Sequence, residues 1–370
     1  KFIMETQLTK LLNLSNPIMV AGMGHITGPD LAAAVSNAGG IGTIGAIPLD
    51  PEGLRTCIHD LKAKLNKGPG LSGYMPFGID YLLPQVGGNA RKTNKDYTGG
   101  QLANLIDVII EEQVDLFVCA VGVPPQWVVD RLHGAGIKVM NMVGAKKHVK
   151  KALAVNVDII CAQGTEAGGH TGDVSTLVLV PQVADECREA GKICVAAGGL
   201  YDGRGIAACL ALGAEGVWMG TRFLASPEAN ITTYNRNALI QSTSNDTRRT
   251  EIYSGRPMRV MKDPYNSEWA AKSEQLQNLL NEGKIPSVAD YHEGKGPLVR
   301  TNNYAQPNKV RNGSWQDIRK NESPEAMFIF GQAAGGIDKI QSAEEIVEEL
   351  LNGLKDTLSE MQRFKVISSI

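Results

Sequence analysis

The sequence predicts an α/β protein, a (β/α)8 TIM barrel with a smaller, mainly helical region after the eighth strand. Three observations predict it. Over the first 225 residues, short apolar runs alternate with longer helical patterns. Eight of those runs are apolar on both faces and rich in Val, Ile, Ala or Met, as strands covered by helices in a parallel sheet are. After about Ser226 the rhythm stops, and the chain turns polar and Gly/Pro-punctuated.

The eight strands are expected at residues 17–21, 41–44, 77–82, 116–120, 138–142, 158–162, 193–197 and 216–219. Helical patterns fill the gaps. Residues 29–38 follow Gly28 and stop at Gly39-Gly40, a helix terminator with no Cβ penalty. Residues 51–65 start at Pro51 behind Asp50, a first-turn proline with a capping carboxylate. Residues 124–135 end before Gly136, and 145–154, 178–190 and 203–212 continue the cycle. An open doubly wound sheet is the competing architecture. It usually opens with G-x-G-x-x-G after its first strand, whereas here that strand runs into Gly22-Met23-Gly24-His25. The expected organisation is a barrel over 1–225, a smaller helical region on the substrate side over 226–330, and a C-terminal segment over 331–370. The last carries an amphipathic helix at 346–364 that packs back on the barrel. Turns at Gly255-Arg256-Pro257, Asp263-Pro264-Tyr265 and Gly294-Lys295-Gly296-Pro297 punctuate the middle region.

The 370 residues are 43% hydrophobic and 21% charged, with a net charge of −2, which leaves no basic field for nucleic acid or a membrane surface. Lys146-Lys147-His148 with Lys150-Lys151 reads as the polar face of a helix. No run reaches the ~18 apolar residues of a membrane span, and Lys1 to Thr6 carry no signal-like core. Met4 reads as a natural start, with Lys1 to Ile3 an added remnant. The six cysteines form no C-x-x-C pair and no zinc spacing. Several sit in apolar runs, so they read as small core residues in a reducing, cytoplasmic compartment.

In a barrel, chemistry collects at the carboxyl ends of the strands. After the seventh strand comes Gly198-Gly199-Leu200-Tyr201-Asp202-Gly203, and after the eighth Gly220-Thr221-Arg222-Phe223. Glycines there let backbone N–H groups approach a phosphate, and the following helix N-terminus favours an anion. After the sixth strand comes Gln163-Gly164-Thr165-Glu166-Ala167-Gly168-Gly169-His170. A histidine in so open a loop can be placed against a ligand, and an ordinary pKa of ~6.5 suits proton abstraction near neutrality. His25, after the first strand, is the next candidate for a base.

These stretches together resemble the nitronate monooxygenase family, formerly called 2-nitropropane dioxygenase. The resemblance rests on Pro17-Ile18-Met19-Val20-Ala21-Gly22-Met23, the Leu31 to Gly42 stretch, Glu166-Ala167-Gly168-Gly169-His170, the Ala196 to Gly205 stretch, and Gly220-Thr221-Arg222-Phe223. Phe330-Gly331-Gln332-Ala333-Ala334-Gly335 adds a late match. It implies non-covalent FMN, a nitronate or nitroalkane substrate such as propionate 3-nitronate, molecular oxygen, and His170 as the base on the nitroalkane α-carbon. Ala21, Gly22 and Met23 would lie beside the flavin ring with Asp80, Gly168 and Gly169. Gly198, Gly199, Gly220 and Thr221 would hold the phosphate, and Gln163 and Gln332 would add contacts. A homodimer is compatible with it. Family members commonly show Ala-Pro-Met where this chain has Ala21-Gly22-Met23, and Asn where it has Asp80. A carboxylate there would disfavour an anionic reduced ring. Two other readings stay open: an NAD(P)H-dependent flavin reductase of the same fold, of the enoyl or quinone reductase kind, and a non-catalytic FMN-binding module.

Overall fold

The apolar runs find their partners in sequence order, and the last returns to the first. In the computed structural model these are β1 (Ile18–Val20), β2 (Ile41–Gly45), β3 (Phe77–Leu82), β4 (Leu116–Ala120), β5 (Lys138–Val143), β6 (Ile159–Gln163), β8 (Ile193–Ala197) and β9 (Gly216–Met219), with a two-residue strand, β7 (Gly169–His170), outside the barrel. They form a closed parallel barrel in the order β1-β2-β3-β4-β5-β6-β8-β9. Closure is made by β1 against β9, with Met19 opposite Trp218. The structure describes residues 3–47, 49–293, 295 and 327–364.

Why the strands are apolar on both faces is visible in the core. Met19, Leu116, Val118, Met140, Ile159, Cys161, Val195 and Trp218 form one buried cluster, and Ile18, Val20, Phe77, Ile79, Phe117 and Val139 belong to a second that includes the surrounding helices. Successive residues of a strand point to opposite sides, so each strand serves a barrel interior and a helix-facing layer. Leu8 and Leu12 of α1 (Gln7–Leu12) join the first cluster, and Thr6 Oγ1 donates to the Glu215 carbonyl, just before β9. The first helix therefore closes the amino end of the barrel.

The outer helices are α2 (Pro29–Asn37), α3 (Pro51–Lys64), α4 (Leu102–Glu111), α5 (Gln126–Gly134), α6 (Val149–Ala154), α7 (Thr176–Glu189), α8 (Gly203–Ala211) and the single turn α9 (Thr221–Leu224). Asp50 and Asp202 cap α3 and α8 by accepting from Gly53 N at 2.9 Å and Gly205 N at 3.0 Å. Sequence reading finds six of these eight and passes over the single turn α9 and over α4. Its first residue is preceded by Gln101, which makes no side-chain cap, so the usual start signal is missing.

Beyond the barrel come α10 (Thr233–Gln241), β10 (Thr247–Thr250), β11 (Met258–Met261), α11 (Pro264–Ala270), α12 (Ser273–Asn281), α13 (Pro286–His292) and the long α14 (Ala343–Met361). Among the described residues the middle region is mainly helical, as expected, and it also contributes a hairpin that sequence reading does not assign. Its strands, Thr-Arg-Arg-Thr and Met-Arg-Val-Met, are too short and charged to announce themselves. They form with β7 an antiparallel sheet in the order β10-β11-β7, His170 facing Met258. Apart from Lys295, the expected turn Gly294-Lys295-Gly296-Pro297 lies outside the described residues. α14 buries Ile346, Val347, Leu350 and Leu354 and packs on α8. None of the six cysteines forms a disulfide, and all are buried. Among the described residues no helix is long and apolar enough to cross a membrane, and no cluster of three or more His, Cys, Asp or Glu could hold a metal.

Candidate active site

A cavity of about 930 Å³ opens at the carboxyl ends of the barrel strands, where this fold places its chemistry and within the size range of small-molecule sites. Ala21, Gly22, Met23, Asp80, Gln163, Gly168, Gly169, His170, Gly198, Gly199, Gly220 and Thr221 all line it. Gln332 does not; its backbone N–H donates to the Glu166 carbonyl and its carbonyl accepts from Ser244 Oγ, while Phe330 and Ala333 beside it do face the cavity. His25 is likewise outside the lining, in the short turn Gly24–Ile26.

The loop after β6 is held from three directions. Glu166 accepts from Thr176 N at 3.0 Å and Thr176 Oγ1 at 2.9 Å, taking the place of a side-chain cap on α7. The buried Arg259 of β11 donates twice to the Thr165 carbonyl, from Nε at 3.0 Å and Nη2 at 2.9 Å. The segment before α14 presses on the loop so closely that a Cβ on Gly168 would stand 2.7 Å from the Phe330 carbonyl carbon. Glycine at 168 is therefore a packing requirement. Gly169 has φ 76°, the left-handed region.

His170 leaves this loop as part of β7. Its carbonyl accepts from Gln163 Nε2 at 2.8 Å, and its Nε2 lies 2.9 Å from Ser254 Oγ. Burial, with the Arg256 guanidinium as a second cause, pulls the imidazole down to about 4. The sequence expectation of an ordinary histidine near 6.5 is thus corrected: the ring is neutral across the physiological range. A neutral imidazole has a lone pair to offer. If Nε2 donates to Ser254, that lone pair is on Nδ1; if Ser254 donates, it is engaged on Nε2.

The glycines expected to hold a phosphate lie at the ends of β8 and β9. Gly198 and Gly199 have φ of 100° and 75°. A Cβ on Gly199 would stand 3.2 Å from Glu166 Cβ, and one on Gly220 would stand 3.2 Å from Met23 Sδ. The Thr221 hydroxyl accepts from Gly331 N at 2.9 Å, so that side chain ties down the C-terminal segment and leaves the backbone to a ligand.

Asp80, on β3, is 4% exposed, and its Oδ1 has no hydrogen-bond partner among the described residues. Burial raises its carboxyl well above the usual range. Gly22 makes room for it: a Cβ there would stand 2.5 Å from Asp80 Cβ. The two positions that depart from the family habit therefore meet.

Sequence reading missed the cavity's cations and the partner of its histidine. Arg91, Lys95 and Tyr97 come from the loop after β3, Ser254 and Arg256 from the β10–β11 connection, and Lys147 and His148 from the basic run before α6. Arg91 pairs with Glu251 at 3.2 Å, Arg256 Nε donates to Asn94 Oδ1 at 3.1 Å, and burial lowers Lys95 to about 8. Nothing in a polar loop sequence distinguishes a cation turned inward from a solvated one. The basic run expected to be only a polar helix face thus also supplies part of the rim.

A closed parallel barrel, with glycines and a loop histidine lining a cavity at its strand ends, suits the class of (β/α)8-barrel flavin oxidoreductases. The family model described as nitronate monooxygenase matches residues 5–353, and the chain belongs to that family. It is 34% identical to a Staphylococcus aureus protein named "Probable nitronate monooxygenase", over 71% of this chain and 80% of that one. Among solved structures it is similar to FabK from Thermotoga maritima, with 30% identity, a TM-score of 0.74 and coverage of 98% of this chain and 100% of that one. It is also similar to nitroalkane oxidase from Streptomyces ansochromogenes, with 26% identity, a TM-score of 0.74 and coverage of 96% and 99%.

Proposed function

We propose that this protein oxidises nitronates, and nitroalkanes after proton removal, with molecular oxygen and non-covalent FMN, and that His170 is the general base. The observation that carries the reading is His170 itself, uncharged, anchored through Ser254 and facing the cavity. The residues present fit FMN: left-handed glycines at 198 and 199 and the bare backbone at Gly220 suit a phosphate, and Ala21 to Met23 line the cavity where the ring would lie. When bound, FMN supplies the electron acceptor for the carbon being oxidised. The chain's own residues do the rest. Arg91, Lys95 and Arg256 line the cavity with positive charge, which favours an anionic nitronate and a substrate carboxylate such as that of propionate 3-nitronate. For a neutral nitroalkane, His170 takes the acidic α-proton; a nitronate has already lost it. The region over 226–330 acts on the substrate side through Ser254 and Arg256. Six buried cysteines outside any disulfide suit a reducing compartment such as the cytoplasm.

Steady-state kinetics of wild type and His170→Asn on a nitroalkane and its nitronate test this. A base contributes ~10²–10⁴-fold, so the variant loses about that factor on the nitroalkane and far less on the nitronate, with FMN content unchanged. Equal losses on both forms would make His170 an orienting residue instead. A second reading is an NAD(P)H-dependent flavin reductase on the same fold, since a fold hosts more than one chemistry. Rapid anaerobic bleaching of the bound flavin by NADH or NADPH would select it.

A further inference from the structure

We propose that Asp80 is a carboxylic acid in the working protein and that it donates a hydrogen bond to the ring of bound FMN. The inference rests on the FMN reading above and goes beyond it by assigning the protonation and role of one residue.

Three observations carry it. Asp80 lines the cavity while remaining more than nine-tenths buried, so what it can meet there is the cavity's occupant and not bulk water. Its Oδ1 is shielded and lacks a partner among the described residues, a costly place for an ionised carboxylate oxygen, which leaves Oδ2 as the oxygen able to meet a ligand. The position opposite is glycine, and any side chain at Gly22 would occupy the space of the Asp80 carboxyl, its Cβ 2.5 Å from Asp80 Cβ and 2.7 Å from Oδ2.

The charge state follows from the surroundings. Desolvation is the sole cause of the upward shift of this carboxyl, with no cation opposing it. The titratable neighbours Cys119 and Cys161 are themselves pushed up by burial and then by Asp80. An ionised carboxylate in such a place would face the full desolvation cost with no compensating partner. The acid form keeps one O–H to donate, which makes Asp80 the functional equivalent of an asparagine amide. The carboxylate expected from the sequence is, on this geometry, its neutral acid.

The test uses the FMN-loaded protein and three measurements: the infrared difference spectrum between its oxidised and reduced forms, FMN affinity, and the midpoint potential of bound FMN. The spectrum of wild type is expected to show the carbonyl stretch of a protonated carboxylic acid, absent from Asp80→Asn. Asp80→Asn, a neutral donor of the same shape, keeps FMN affinity within about twofold of wild type and leaves the potential unchanged. Asp80→Val, a neutral side chain of similar shape without a donor, loosens FMN by roughly two- to tenfold, the worth of one neutral hydrogen bond, and lowers the potential. A carboxylate band in wild type with a raised potential in Asp80→Asn overturns the inference, as does Asp80→Val holding FMN like wild type. FMN uptake with an ionised Asp80 sinks this inference alone, whereas a protein that takes up no FMN sinks the cofactor reading and this inference with it.

Discussion

His170 shows how one residue's chemistry is set by its neighbours. Burial is the larger cause of its lowered pKa and the Arg256 guanidinium the second. A histidine whose folded value lies below its unfolded ~6.5 stays neutral while the unfolded chain takes up a proton. Its contribution to stability is therefore undiminished above pH ~6.5, declines as pH falls toward about 4, and levels off below that. The same shift predicts the acid limb of kcat/KM for a nitroalkane near pH 4, well below the ordinary histidine value. Arg256→Gln removes a repelling charge, so the protonated form becomes easier to reach and the limb moves upward. pH profiles of the two proteins check this; coincident limbs would mean that Arg256 does not act on the imidazole. Ser254→Ala removes the hydroxyl 2.9 Å from Nε2, and is expected to lower kcat on the nitroalkane more than KM, because a base that loses its anchor is misplaced in the transition state.

Among elements, the β10–β11 hairpin matters more to the site than its length suggests. Through β11 it pairs with Gly169 and His170, and through Arg259 it holds the Thr165 carbonyl. Arg259→Met leaves that carbonyl without either guanidinium donor, and is expected to cost about 1–3 kcal/mol and to lower nitroalkane turnover with FMN still bound. Denaturant unfolding and cofactor content separate the two effects; unaltered turnover would show that the clamp is not needed to aim His170. A purely structural counterpart is the contact of α8 with α14. A Cβ on Gly203 would stand 2.1 Å from Leu354 N, a backbone-to-backbone approach that no rotamer can relieve. Gly203→Ala is expected to destabilise by at least about 1–3 kcal/mol, with turnover per folded, FMN-loaded molecule near wild type. Wild-type stability in that variant would refute the close approach.

At the scale of the whole molecule, the site is assembled from the two ends of the chain. Ala21 to Met23 and Phe330 line the same cavity, and Gly331 N donates to the Thr221 hydroxyl at the end of the barrel. Folding and cofactor binding are therefore coupled: FMN bound only by the assembled state adds stability as its concentration rises, about 2.7 kcal/mol at a hundred times Kd. Thermal midpoints measured against FMN concentration should climb accordingly, and a midpoint indifferent to FMN would mean that the cavity is not its site. A chain ending before residue 327 loses Phe330 from the cavity wall and the buried apolar face of α14, whose Ile346, Val347, Leu350 and Leu354 belong to the core. Such a chain is expected to lose FMN and to unfold at a lower temperature than the full chain.

By itself the sequence determined the barrel, the family resemblance and the residues that gather at the strand ends. Each rests on a local, periodic cause. A strand covered on both faces must be apolar throughout, a turn that brings backbone to a ligand must be glycine, and both leave marks readable within a few residues. The tertiary structure alone decided which distant side chains complete the site. Ser254, Arg256, Arg259, Arg91 and Lys95 come from polar segments whose composition suits solvent equally well, and they turn inward only because the hairpin and loops cross the barrel mouth. It also decided charge. The same imidazole and carboxyl groups would be ordinary in water, but at His170 and Asp80 the surrounding protein replaces the water that would solvate the ionised form.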